Sequence, residues 1–171
     1  MEKTFIVVDV ETDGPIPNDY SMISFGAVIV DKDLKKTFQA KIKPISEKYK
    51  KERLNFLKLS RKETESYEDP KKALTEFVKW IEDNTKGKLV FLSDNNGFDW
   101  MFMCWYLEHF LGKNPFGYNS TNISSLYRGL TKDLNANFDS LRKTPHNHNP
   151  LNDAMGNAEA FLEMMKKMPK K

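Results

Sequence analysis

The apolar positions of this chain repeat with two different periods, and the switches between them mark its elements. Phe5-Ile6-Val7-Val8-Asp9-Val10-Glu11 is a β-branched and aromatic run that reads as a buried strand, and Asp13-Gly14-Pro15 closes it with turn chemistry. Met22 to Val30 reads as a second apolar strand. Asp31-Lys32-Asp33 marks a hairpin turn, and Thr37 to Lys43 alternates as a half-exposed third strand. The period then changes. Asp69 suits an N-cap, Pro70 suits the first helical position, and Ala73, Leu74, Phe77, Val78 and Ile81 trace the apolar stripe of a helix ending near Lys86-Gly87. Lys88 to Ser93 is a fourth strand, followed by a helix from about Phe98 to Leu111. Residues 112–122 read as loop, 123–128 as a short helix, and 129–147 are too mixed to assign. Asn149-Pro150 opens a last helix with Ala154, Ala158, Phe161, Leu162 and Met165 on its apolar side, and 166–171 read as a frayed basic tail. The order predicts one α/β domain over 1–171, built on a mixed sheet with a three-strand antiparallel opening.

Composition narrows the setting. The 171 residues are 39% hydrophobic and 30% charged with a net charge of only +3, so any contact with nucleic acid must come from local patches. One such patch is the segment 44–69, where Lys48, Lys50, Lys51, Arg53, Lys58, Arg61 and Lys62 accumulate as either a solvated surface or a nucleic-acid-facing rim. Cys104 is the only cysteine and has apolar neighbours, which excludes disulfides within the chain and cysteine metal clusters. No apolar run approaches the ~20 residues of a membrane span, and no secretory signal precedes the first strand. A cytoplasmic protein without membrane contact is expected.

The candidate chemistry lies in four carboxylates and a histidine. Asp9 and Glu11 are two apart on a strand, so both project from one face. Two such acids repel unless a cation sits between them, and hard divalent ions take carboxylate oxygens. Alternatively, Glu11 turns into solvent at a strand end. Asp99 stands where the fourth strand and its turn lead into a helix, and Asp153 in the first turn of the last helix, five residues after His148. Taken singly, either acid could serve only to complement a helix dipole.

Together, Asp9-x-Glu11 on the first strand, Asn95-x-x-Phe98-Asp99 after the fourth and His148-x-x-x-x-Asp153 on the last helix resemble the DEDDh-type 3′–5′ exonucleases of the ribonuclease H-like superfamily, among them polymerase proofreading subunits, oligoribonuclease and ribonuclease T. The resemblance spans residues 5–165. Two departures are visible: Pro150 stands where many relatives have alanine, and Ser93-Asp94-Asn95 lacks the histidine that often precedes the asparagine. The resemblance implies a ribonuclease H-like mixed sheet whose fourth strand is parallel, flanked by helices. It implies two Mg²⁺ or Mn²⁺ ions roughly 3.5–4 Å apart, bridged by Asp9, with Glu11 and Asp153 completing one site and Asp99 serving the other. It assigns His148 as the general base, for which an imidazole titrating near ~6.5 is suited. His146 falls outside that spacing and reads as a surface or substrate-side residue.

For the substrate, single strands are gripped by stacking and by basic residues on the backbone. Phe98, Trp100, Met22 and Ile23 are candidates to wedge or stack terminal bases, and Thr12 to contact the last nucleotide. The leading expectation is an exonuclease releasing 5′-mononucleotides from single-stranded nucleic acid, RNA more than DNA. Proofreading in trans with a DNA polymerase and a catalytically silent binding or scaffold module are the alternatives. Whether it works alone or as a homodimer stays open.

Overall fold

The computed structural model describes residues 3–118 and 120–168. Its strands are β1 (Lys3–Thr12), β2 (Met22–Ile29), β3 (Thr37–Lys41), β4 (Lys88–Ser93) and β5 (Ser120–Asn122). Its helices are α1 (Lys51–Phe56), α2 (Arg61–Thr64), α3 (Pro70–Asn84), α4 (Asn96–Leu111), α5 (Ile123–Thr131) and α6 (Pro150–Lys167), with a 3₁₀ turn at Asp139–Leu141. The sheet order is β3-β2-β1-β4-β5. β1 to β3 form the expected antiparallel meander, whereas β4 runs parallel to β1 and β5 parallel to β4. This is a ribonuclease H-like mixed α/β sheet. Among the described residues no helix is long and apolar enough to cross a membrane.

β1 is central because both its neighbours are strands and both its faces are covered. Ile6, Val8 and Val10 pack with Phe77 of α3 and with Phe102 and Tyr106 of α4. Val7 packs with Val28 and Leu92 against Ala154, Ala158 and Phe161 of α6. Burial on both faces explains the nearly unbroken apolar run. By the period of two, Asp9 and Glu11 continue the row of Val7 toward α6. Gly26, paired with Asp9 across the sheet, lets α6 come that close: a Cβ there would overlap the Pro150 and Leu151 backbone.

The helix ends follow the sequence signals. Asp69 caps α3 by accepting from Lys72 N–H, and Asn149 caps α6 by accepting from Leu151 and Asn152 N–H, each ahead of proline at the first helical position. Three expectations need correction. Residues 120–122, expected as loop, form edge strand β5. Ser-Thr-Asn has no apolar alternation to betray it, and its pairing comes from the free edge of β4 and from Asn96 Nδ2, which donates to Ser120 Oγ at 2.7 Å. The third strand stops at Lys41, after which Lys43 N–H turns to the Glu68 carbonyl. α6 runs through Lys167, so Lys166 and Lys167 are helical rather than frayed tail, with Lys166 paired to Glu163 at 2.6 Å. Residues 169–171 of that expected tail lie outside the described residues.

Candidate active site

Three elements bring four acids to the carboxyl end of β1. Asp9 and Glu11 leave one face of the strand, Asp99 reaches back from the first turn of α4, and Asp153 enters from the first turn of α6. All four are buried, from Asp153 at 1% exposure to Asp9 at 9%. Asp9, Glu11 and Asp153 each offer an oxygen within 4.8 Å of the others. Opposed ligands on one Mg²⁺ stand up to about 4.2 Å apart, so a small adjustment suffices for a single ion to take all three. Asp99 Oδ1 accepts the Val10 N–H at 3.2 Å, and its Oδ2 is buried with no partner among the described residues. A buried orphan carboxylate oxygen beside three more acids is an arrangement that a divalent cation satisfies. The acids fit that group.

The electrostatics show the same conflict. Burial raises the Asp9 carboxyl well above its ordinary value, and Asp99, Glu11, Asp94 and Asp153 add to the rise. Burial pushes Glu11 up to about 7, with the Arg53 guanidinium opposing at 3.6 Å. Burial and then Asp94 push Asp99 up to about 8. Without a cation, burial and the neighbouring acids oppose the ionisation of each of these carboxyls.

The loop ahead of α6 wraps Asp153. Asn147 N–H donates to Oδ1 and His148 N–H to Oδ2, both at 2.9 Å. His148 adopts a left-handed backbone, φ 59°, which directs its Nδ1 to 3.7 Å from Glu11 Oε1. Its ring meets the edge of Phe56 from α1 at 4.4 Å. Partial burial, then the neighbouring His146, lower its basicity below the ordinary histidine value. His146 also belongs here: its Nε2 lies 3.4 Å from Asp153 Oδ2 and its ring 4.5 Å from that of His148. His146, expected as a surface or substrate-side residue, is exposed and lines the cleft, and it also stands against Asp153.

Beside these groups opens a cleft of about 590 Å³, lined also by Lys50, Arg53, Asp94 and Phe98. Of the residues expected to hold substrate, the structure brings only Phe98 to this cleft. Met22 and Ile23 have no exposed surface, since β2 is covered on both faces; Met22 N–H donates to the Tyr106 hydroxyl. Thr12 is fully buried and its hydroxyl donates to the Gly14 carbonyl. Trp100 packs on Phe91 and Phe116, with ring centres 5.0 and 6.4 Å away. These four belong to the packing around the site.

This arrangement can be set beside known proteins. The family model of the 3′–5′ exoribonuclease Rv2179c-like domain matches residues 4–165. The 3′–5′ DNA exonuclease Cap18 of Escherichia coli is 36% identical over 183 residues, covering 99% of this chain and 96% of Cap18. The chain belongs to the Rv2179c-like 3′–5′ exoribonuclease domain family. It is a 3′–5′ exonuclease. Two solved structures share the fold at low identity. Cell-death related nuclease 4 (CRN-4) superposes with a TM-score of 0.77 at 15% identity, over 95% of this chain and 64% of that one. E. coli exonuclease I in complex with a dA16 oligonucleotide gives 0.71 at 14%, over 96% and 41%. The chain thus spans less than two thirds of the length of either.

Sequence reasoning left the 44–69 basic segment open between a solvated surface and a nucleic-acid-facing rim, and did not single out Asp94 or Arg142. Arg53 reaches Glu11, and Lys50 lines the same wall, so part of the 44–69 segment faces the site. Arg61 of that segment does not: partly buried, it pairs with the buried Asp13, Nη1 to Oδ2 at 3.0 Å, and fastens the segment to the end of β1. Asp94 is tied by Arg142 to Asn157 of α6. A lone arginine in an unassigned stretch gave no signal for that contact.

Proposed function

We propose that this protein is a divalent-metal-dependent 3′–5′ exonuclease that releases 5′-mononucleotides from single-stranded nucleic acid. The observation that carries the reading is the convergence of Asp9, Glu11 and Asp153 with the orphaned Oδ2 of Asp99. In this reading Asp9, Glu11, Asp99 and Asp153 would hold divalent ions, Mg²⁺ or Mn²⁺. When bound, such ions lower the pKa of a water and stabilise the departing 3′-oxygen. The Val10 amide and the Asn147 and His148 amides hold Asp99 and Asp153 in place. His148 accepts the proton of the attacking water, and its lowered basicity keeps it neutral near pH 7. Phe98 offers a face for a terminal base, while Lys50 and Arg53 meet the phosphate backbone. The chain acts as one domain, in the cytoplasm.

RNA is the leading substrate, in keeping with the exoribonuclease description of the matching family. The similarity to a DNA exonuclease over nearly the whole chain favours DNA as the second reading. End-labelled single strands of identical sequence, one RNA and one DNA, digested in parallel with Mg²⁺ or Mn²⁺, separate the two. The reading expects faster loss of RNA, and a preference for DNA would install the second.

A further inference from the structure

We propose that His146, His148 and Asp153 form a transition-metal site, separate in ligand chemistry from the four-acid set, and that an ion bound there shuts the exonuclease off. The inhibitory half rests on the function proposed above; the binding half does not.

Each of the three residues presents a ligand atom, and the three atoms lie within 4.8 Å of one another. His146 Nε2 and Asp153 Oδ2 are 3.4 Å apart. That is too long for a strong hydrogen bond. It matches two ligands of one tetrahedral zinc, because bonds of about 2.0–2.2 Å at the tetrahedral angle set ligand atoms roughly 3.4 Å apart. Two imidazoles and a carboxylate suit Zn²⁺, Co²⁺, Ni²⁺ or Cu²⁺, whereas Mg²⁺ keeps to oxygen donors. The loop is preorganised: the Asn147 and His148 amides fix the Asp153 carboxylate, and the left-handed turn at His148 sets the two rings 4.5 Å apart. Both imidazoles remain 42% exposed, so an ion reaches them from solvent. Glu11 Oε1, 3.7 Å from His148 Nδ1, stands near enough to serve as a fourth ligand.

The ligand sets overlap in a way that dictates the outcome. An ion held here takes the lone pair with which His148 accepts a proton and withdraws Asp153 from the acids. Binding and turnover therefore exclude each other.

Chelator-stripped protein titrated with Zn²⁺ by calorimetry tests binding without turnover. Wild type should bind one Zn²⁺, and Asp9→Asn, outside the three ligands, should bind it with similar affinity. His146→Ala and His146→Asn should bind at least ~10-fold more weakly, since losing a ligand costs no less than losing its outer-shell support. With Mg²⁺ in excess, Zn²⁺ should inhibit wild-type digestion, and at least ~10-fold more should be needed for the His146 variants. Equal Zn²⁺ affinity in wild type and both His146 variants, or no binding at all, overturns the site. Binding that depends on His146 but leaves digestion untouched overturns the inhibition alone. Absence of turnover in Mg²⁺ alone, with Zn²⁺ binding intact, counts against the exonuclease reading and not against the site.

Discussion

The Val10 amide, lying between the two acids of β1, donates to Asp99 Oδ1 at 3.2 Å. One backbone group thus holds the α4 acid against the strand acids, and the remaining oxygen, Oδ2, is buried without a partner. Asp99→Asn should keep the amide contact and the fold while removing the charge. Asp9→Asn and Asp99→Asn are both expected to lower the rate by at least ~10³-fold, about 4 kcal/mol in barrier lowering. Single-turnover rates with Mg²⁺ check this, and a loss under tenfold for either contradicts the role of the acids.

The raised carboxyls predict how metal-free stability depends on pH. Unfolded Asp and Glu titrate near ~3.9 and ~4.3, while Glu11 and Asp99 sit at about 7 and about 8 and Asp9 is also raised. Between those limits the folded state holds more protons, so stability falls as pH rises through that window. A bound cation removes the conflict. The rise in melting temperature on adding Mn²⁺ to stripped protein should therefore be larger at about pH 8 than at about pH 5. An equal rise at both would show that the acids do not hold the ion.

His148 and His146 stand side by side, and kinetics distinguish them. A base must be neutral, so activity should rise with pH through the imidazole of His148, which burial and His146 place below the ordinary ~6.5. His148→Ala should cost about 10²–10⁴-fold and flatten that acidic limb. His146→Ala should do far less with Mg²⁺. If the two substitutions are equally harmful, or His146→Ala alone removes the limb, the base is misassigned.

Arg61 is the internal partner of Asp13, whose carboxyl is fully buried and stays raised by burial despite the guanidinium at 3.0 Å. Removing it leaves that acid without its cation and loosens 44–69 from β1. Arg61→Ala should destabilise by about 2–3 kcal/mol, seen as a lower denaturant midpoint. Asp13→Asn should cost less, because Arg61 is partly exposed and keeps Glu65 as a partner at 3.1 Å. An Arg61→Ala protein as stable as wild type would show that the segment is held by other contacts.

The sheet was largely legible because β1, β2 and β4 carry nearly unbroken apolar runs and α3 and α6 carry paired cap and proline signals. The acids were legible because a two-residue strand period and two helix starts place them independently of distant packing. What escaped depends on that packing. β5 is three polar residues recruited by an open edge. Met22, Ile23 and Trp100 belong to the packing and not to a nucleic-acid surface, a difference hidden in sequence because an aromatic or aliphatic side chain looks the same whether it stacks on a base or on Phe91. The contact of His146 with Asp153 was not legible, because spacing along the chain cannot show the left-handed backbone at His148.

The most direct measurement follows a 3′-end requirement and a metal requirement in one reaction. A linear single strand and its covalently closed circle are incubated with the protein in Mg²⁺ and in excess EDTA, and products are resolved by size. The account predicts 5′-mononucleotides from the linear strand in Mg²⁺ only, with the circle intact throughout. Cleavage of the circle, digestion starting from the 5′-end, or substantial activity in EDTA would contradict it.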